Sequence, residues 1–184
     1  VSLLAAQILA PNKTGPLLIV GAGVQGRAHL EAFVEGLGVR EVVIASRTPA
    51  SAQALAAHAH TLGCTARVAQ DTNAELSHCP LVITCTPANA VVFTTLPRPD
   101  AFIAAVGAFT PKMVELAAEL CQHFAQTGSV VVDTADAVHE AGDLIQAGLD
   151  VAVFNTLAEV IQRGELAGSG PVLFKSCGWA GWDL

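Results

Sequence analysis

Six residues near the start of the chain, Gly21-Ala22-Gly23-Val24-Gln25-Gly26, carry glycine at the spacing G-x-G-x-x-G. The pattern by itself is common. Here it follows a continuous apolar run, residues 16–20, and opens a segment of helical spacing, which is the context in which such a loop holds a dinucleotide. Gly21 permits a tight turn, Gly23 lets a pyrophosphate approach the backbone, and Gly26 lets helix and strand pack closely. Free N–H groups along the turn and the positive end of the helix then hold the anion. Gly21, Ala22, Gly23, Val24, Gln25 and Gly26 are therefore the candidate phosphate-binding residues. The competing reading is a glycine turn that holds no ligand.

About 20 residues beyond such a loop, an Asp or Glu ordinarily meets the ribose 2′-hydroxyl of NAD. This chain reads Ser46-Arg47-Thr48 there, with no carboxylate. Ser46 and Thr48 can donate hydrogen bonds, and the Arg47 guanidinium can pair with a 2′-phosphate. The expected cofactor is NADP(H), with NAD(H) less favoured. Ligands of open parallel sheets lie outside the carboxyl ends of the strands. Cys85, Thr86 and Pro87, which close one apolar run, and Val106 and Gly107, which close another, are thus further candidates to line the cofactor. Any strand-ending turn could use the same residue types.

The elements that must position these residues alternate. Residues 16–20, 41–45, 65–69, 81–85, 102–106 and 129–132 read as strands, and 171–174 is strand-like. Residues 1–10, 24–37, 50–60, 72–76, 112–124, 134–140 and 157–162 read as helices. Strands alternating with helices predict an α/β fold, a Rossmann-like doubly wound parallel sheet. The chain has 184 residues, 52 % hydrophobic and 14 % charged, with a net charge of −7. That excludes a disordered chain and offers nucleic acid or acidic lipid no basic patch. Apolar runs break well short of the roughly 18 residues of a membrane span. Five cysteines form no C-x-x-C, and the six histidines show no metal spacing, so no metal is expected and the default compartment is the reducing cytoplasm. The apolar excess, together with a start at Val1 inside an apolar stretch and an end at Trp182-Asp183-Leu184 with no terminating signal, leads us to expect a truncated piece of a two-domain protein.

At this point the chain resembles the ornithine cyclodeaminase/mu-crystallin family. The resemblance rests on Gly21-Ala22-Gly23-Val24-Gln25, Ser46-Arg47-Thr48, Thr84-Cys85-Thr86-Pro87 and Ala105-Val106-Gly107. It continues in Glu140-Ala141-Gly142-Asp143 and in Phe174-Lys175-Ser176-Cys177-Gly178-Trp179-Ala180-Gly181-Trp182-Asp183. It implies that residues 1–184 are the family's dinucleotide domain. Residues 1–12 would be a connecting helix and 165–184 a segment returning toward a substrate-binding and dimerisation half upstream of Val1, through which a homodimer would form. It further implies that Ser176 and Gly178 lie near the nicotinamide ring. Glu140 and Asp183 are weaker candidates to orient the substrate, with structural roles equally open.

Family members that cyclise ornithine look like Gly-Gly-Asp after the strand at 102–106, with a catalytic aspartate. The matching stretch here is Gly107-Ala108-Phe109. Phe109 cannot accept a proton, which argues against cyclodeamination and suits an apolar wall beside a nicotinamide and a cyclic imine. The resemblance therefore implies NADPH-dependent reduction of a cyclic imino acid such as Δ1-pyrroline-2-carboxylate to L-proline. A redox-silent NADPH-binding protein of the mu-crystallin type, an amino-acid dehydrogenase and a cyclodeaminase are the alternatives. No proton donor is named among these residues.

Overall fold

The computed structural model describes residues 1–87, 89–164 and 170–178. Its first half runs α1 (Ser2–Leu9), β1 (Leu17–Val20), α2 (Val24–Leu37), β2 (Glu41–Ala45), α3 (Pro49–Thr61), β3 (Thr65–Val68), α4 (Thr72–Glu75) and β4 (Leu81–Thr84). Then follow β5 (Asn89–Phe93), β6 (Phe102–Ala105), β7 (Val114–Leu116), α5 (Ala118–Thr127), β8 (Ser129–Val132), α6 (Ala137–Glu140) and α7 (Gly142–Gln146). The last elements are β9 (Asn155–Thr156), α8 (Leu157–Arg163) and β10 (Val172–Lys175). Eight strands form one parallel sheet in the order β3-β2-β1-β4-β6-β10-β8-β9, and β5 pairs with β7 separately. No helix among the described residues is long and apolar enough to cross a membrane.

Strand β1 shows why the sheet has helices on both faces. All four of its residues are buried. Successive side chains point to opposite faces, so Leu17 and Ile19 join one core while Leu18 and Val20 join the other. The first core is closed by α1, α2, α3 and α8 through Leu9, Phe33, Leu55 and Val160. The second is closed by α5 and α7 through Phe124 and Leu144, with Phe93 and Leu116 of the small sheet. Strands β4, β6 and β10 are buried in the same way. Parallel strands covered on both faces read as unbroken apolar runs, and they account for much of the chain's apolar excess.

Three expectations about elements change. Residues 112–124 read as one helix, yet Val114–Leu116 is a strand and the helix begins only at Ala118. The extended backbone is held because Asp143 Oδ1 accepts the N–H groups of both Glu115 (2.6 Å) and Leu116 (3.0 Å), and Ala117 N–H donates to Phe93 O at 2.9 Å. Its partner strand β5 had no counterpart in the sequence reading. Residues 134–140 contain only the short α6. Ala141 leaves helical geometry at φ −75°, ψ 72°, and Gly142 starts α7 with its Cα against the carbonyls of Thr110 and Met113, where a Cβ has no room.

Candidate functional site

The sheet order places a switch point between β1 and β4. After β1 the chain crosses to β2 on one side, and after β3 it returns to β4 on the other. Ligands of such sheets bind in the crevice outside those carboxyl ends. Gly21 leaves β1 with its N–H on Ala45 O (2.9 Å), and Cys85 leaves β4 with its N–H on Val20 O (2.8 Å). Gly21 sits at φ +114°, and a Cβ there would meet Cys85 O at 2.5 Å. The turn thus presses on the end of β4, which only glycine allows.

Gly23 is the N-cap of α2, with no side-chain cap bond and no acidic residue in the first turn. The first N–H groups of a helix have no intrahelical acceptor, and Gly23, Val24 and Gln25 are exposed there, Val24 by 87 %. Nothing lies within 4 Å of the position a Gly23 Cβ would take. A diphosphate could therefore approach this backbone closely. Gly26 differs: it is buried, and a Cβ would run into Gly21 O and touch Ile19 Cγ2 at 3.4 Å. Gly26→Ala should lower stability by about 1–3 kcal/mol, the usual cost of overpacking, while Gly23→Ala should fold like the parent. Urea midpoints measure both, and equal midpoints for the two variants would contradict the close contact.

Ser46, Arg47 and Thr48 leave β2 at the same edge. Arg47 and Thr48 are exposed and Ser46 is half-buried, its Oγ accepting from Thr48 N–H at 3.3 Å. Among the described residues no carboxylate pairs with Arg47. Thr48 is the N-cap of α3, which also lacks a side-chain cap and has Pro49 in its first turn. An anion there would meet a guanidinium and a helix start together.

The remaining candidates divide by which way their polar groups face. Thr86 N–H (2.8 Å) and Oγ (2.7 Å) donate to Glu115 Oε1, and Gly107 N–H donates to Glu115 Oε2 at 2.7 Å. Ser176 is buried, its hydroxyl donating to Asp133 Oδ2 at 2.9 Å; the same oxygen accepts the N–H groups of Cys177 (2.7 Å) and Gly178 (2.9 Å). These residues face inward and shape the rim. Cys85 and Val106 are half-buried, and Pro87, Gly178 and Phe109 are exposed, Phe109 by 53 %. Burial first, and the Glu115 carboxylate second, push the Cys85 thiol up to about 12, so it is neutral and no nucleophile. Burial likewise pushes Cys177 up to about 12. Glu140, half-buried, ends α6. Asp183 lies outside the described residues. Among the described residues no group of His, Cys, Asp or Glu could hold a metal.

The sequence reading assigned no role to four charged residues that organise this edge from below. Glu115, Asp133, Asp143 and Lys175 are all buried, and Lys175 Nζ lies 3.1 Å from Asp143 Oδ2. Isolated charges among apolar residues, Glu115 in Val-Glu-Leu and Lys175 in Leu-Phe-Lys, were the available signal.

The ornithine cyclodeaminase/mu-crystallin family model matches residues 1–184. Δ1-Pyrroline-2-carboxylate reductase 1 of Burkholderia multivorans is 36 % identical over 170 residues, covering 91 % of this chain and 53 % of that protein. The ketimine reductase mu-crystallin of Mus musculus is 34 % identical over 187 residues, covering 100 % of this chain and 57 % of that one. Among solved structures, Thermococcus litoralis Δ1-pyrroline-2-carboxylate reductase in complex with NADH and L-proline superposes with a TM-score of 0.85 at 24 % identity, covering 96 % of this chain and 57 % of that one. The chain spans little more than half the length of these relatives.

Proposed function

The chain belongs to the ornithine cyclodeaminase/mu-crystallin family, and from that premise we propose that it is the dinucleotide-binding part of an NADPH-dependent reductase of cyclic imino acids. Δ1-Pyrroline-2-carboxylate, reduced to L-proline, is the favoured substrate. The observation that carries this reading is the uncapped, exposed start of α2 beside a glycine turn packed on the end of β4, at the sheet's switch point. That the relatives are named as reductases of pyrroline-carboxylate and ketimines supports the reaction class.

A bound reduced nicotinamide supplies a hydride for the imine carbon. Everything else falls to the protein. Gly21, Ala22, Gly23, Val24, Gln25 and Gly26 hold the diphosphate at the α2 start. Ser46, Arg47 and Thr48 hold the 2′-phosphate. Cys85, Thr86, Pro87, Val106 and Gly107 shape the wall along the ribose and nicotinamide, with Ser176 and Gly178 on its far side. The exposed Phe109 offers the imine an apolar surface where a carboxylate would offer proton transfer, which favours reduction over cyclodeamination. We place the substrate-carboxylate contacts and the homodimer contacts in a half outside these residues, joined at residues 1–12 and at the 165–184 segment, of which 165–169 and 179–184 lie outside the described residues, and the protein in the cytoplasm.

The test is NADPH consumption by the protein at the length of its relatives. Oxidation that depends on Δ1-pyrroline-2-carboxylate and needs no ammonia is the expected result. A requirement for ammonia with a keto acid would make it an amino-acid dehydrogenase. Tight NADPH binding without oxidation by any cyclic imine would make it a binding protein of the mu-crystallin kind.

A further inference from the structure

The proposed cofactor site uses the rim of the sheet and leaves the carboxylate beneath it without a task. Glu115 is fully buried. Its Oε1 accepts from Thr86 N–H and Thr86 Oγ, and its Oε2 accepts from Thr84 Oγ1 (2.9 Å) and Gly107 N–H. Four donors on one carboxylate offset much of the cost of burying it. The donors come only from the end of β4 and the loops that leave β4 and β6. None comes from the Ser46–Thr48 side. Gly107 lies so close that a Cβ there would press on the Glu115 carboxylate and on Thr86 O.

What holds Glu115 is equally specific. Strand β7 lies outside the main sheet, so its register is fixed from elsewhere. Asp143 Oδ1 accepts the amide N–H groups of Glu115 and Leu116, Asp143 Oδ2 faces Lys175 Nζ, and that ammonium donates to Ala105 O at 3.1 Å. One buried line of contacts therefore starts on β10, passes through α7 and β7, and ends on the loops after β4 and β6. In doubly wound sheets a dinucleotide lies across the switch point. With its adenosine 2′-phosphate at Arg47 and its diphosphate at Gly21–Gly26, its nicotinamide half reaches these two loops.

We propose that Glu115 is a positioning residue for the nicotinamide half of the cofactor, acting through the backbone and hydroxyl groups of Thr84, Thr86 and Gly107 and touching no ligand itself. This rests on the dinucleotide reading of the glycine turn. Glu115→Gln replaces one acceptor oxygen by a donor NH2, which leaves either Gly107 N–H or Thr86 N–H facing another donor. Thr84→Val removes a single hydrogen bond with little change of shape.

The experiment is calorimetric titration of parent, Glu115→Gln and Thr84→Val proteins with two ligands, NADPH and adenosine 2′,5′-bisphosphate. The second spans the Arg47 end and the diphosphate turn but carries no nicotinamide. Glu115→Gln should weaken NADPH about tenfold, the scale of one hydrogen bond to the cofactor lost when the loops after β4 and β6 shift, and leave the bisphosphate within about twofold. Thr84→Val should show the same selectivity at about threefold, and it alone decides if Glu115→Gln does not fold. Loss of affinity for both ligands alike, or unchanged NADPH affinity, overturns the positioning role. Failure of the parent to bind either ligand overturns the dinucleotide reading instead.

Discussion

Lys175→Met is expected to destabilise the fold by about 3–5 kcal/mol, the usual consequence of removing one partner of a buried ion pair. Lys175 and Asp143 are both 0 % exposed at the side chain and 3.1 Å apart. Methionine keeps the apolar stem and removes the ammonium. Asp143 Oδ1 retains the Glu115 and Leu116 amides, but Oδ2 has no hydrogen-bond partner besides the ion pair. The variant thus buries a half-satisfied carboxylate. For a chain of this size the loss corresponds to a Tm drop of roughly 6–20 °C. Adding Asp143→Asn keeps an acceptor for the two amides and removes the stranded charge, so the double variant should be more stable than Lys175→Met alone. Chemical denaturation of the four proteins of this cycle gives the coupling. A loss below about 1 kcal/mol for Lys175→Met would mean the pair does not anchor β7 to β10.

Why this pair escaped the sequence reading, while most of the sheet did not, has a physical answer. Helix α2 was legible to its bounds because Gly23 and Gly38 flank it, Gly38 closing it at φ 69° with its N–H on Phe33 O. Strands β2 and β8 were legible because short unbroken apolar runs between polar turns leave few other structures. The segment around Glu115 obeys neither rule. Residues 112–124 have enough helical spacing to mimic a helix, and α5 does occupy their second half, with Leu120, Cys121 and Phe124 buried. What makes Val114–Leu116 extended is a carboxylate 27 and 28 positions away. Local periodicity carries no information about such a partner.

The site was legible in the same uneven way. The glycine turn and Ser46-Arg47-Thr48 announce themselves because local backbone and local charge do the work. At the ends of β4, β6 and β10 the sequence marks strand-ending turns, but the inward direction of Thr86, Gly107 and Ser176 depends on Glu115 and Asp133. Asp133, directly after β8, accepts the Ser176 hydroxyl and two successive N–H groups of the turn after β10. A buried acid therefore sits under each side of the wall, and each fixes backbone groups that a flexible loop would leave free. Fixed groups lose no conformational freedom when a ligand arrives.

On the proposed reading Arg47 carries the charge that favours NADPH over NADH, and Arg47→Ala should test it. The 2′-phosphate is the only group by which NADPH and NADH differ at this end, so NADPH affinity should fall about 10- to 100-fold, the range of one or two charge-assisted hydrogen bonds. NADH affinity should stay within about twofold, because the same change removes nothing that a 2′-hydroxyl needs. Arg47 is exposed, so a preference for NADPH that rests on it should weaken as salt is raised. Ser46→Asp pushes in the opposite direction. A carboxylate at the end of β2 repels the phosphate and can accept from the ribose hydroxyl, so NADPH should lose affinity while NADH gains it. Titration of parent and both variants with each dinucleotide gives the answer. If Arg47→Ala weakens both cofactors equally, or neither, the guanidinium is only solvated and the 2′-phosphate assignment fails.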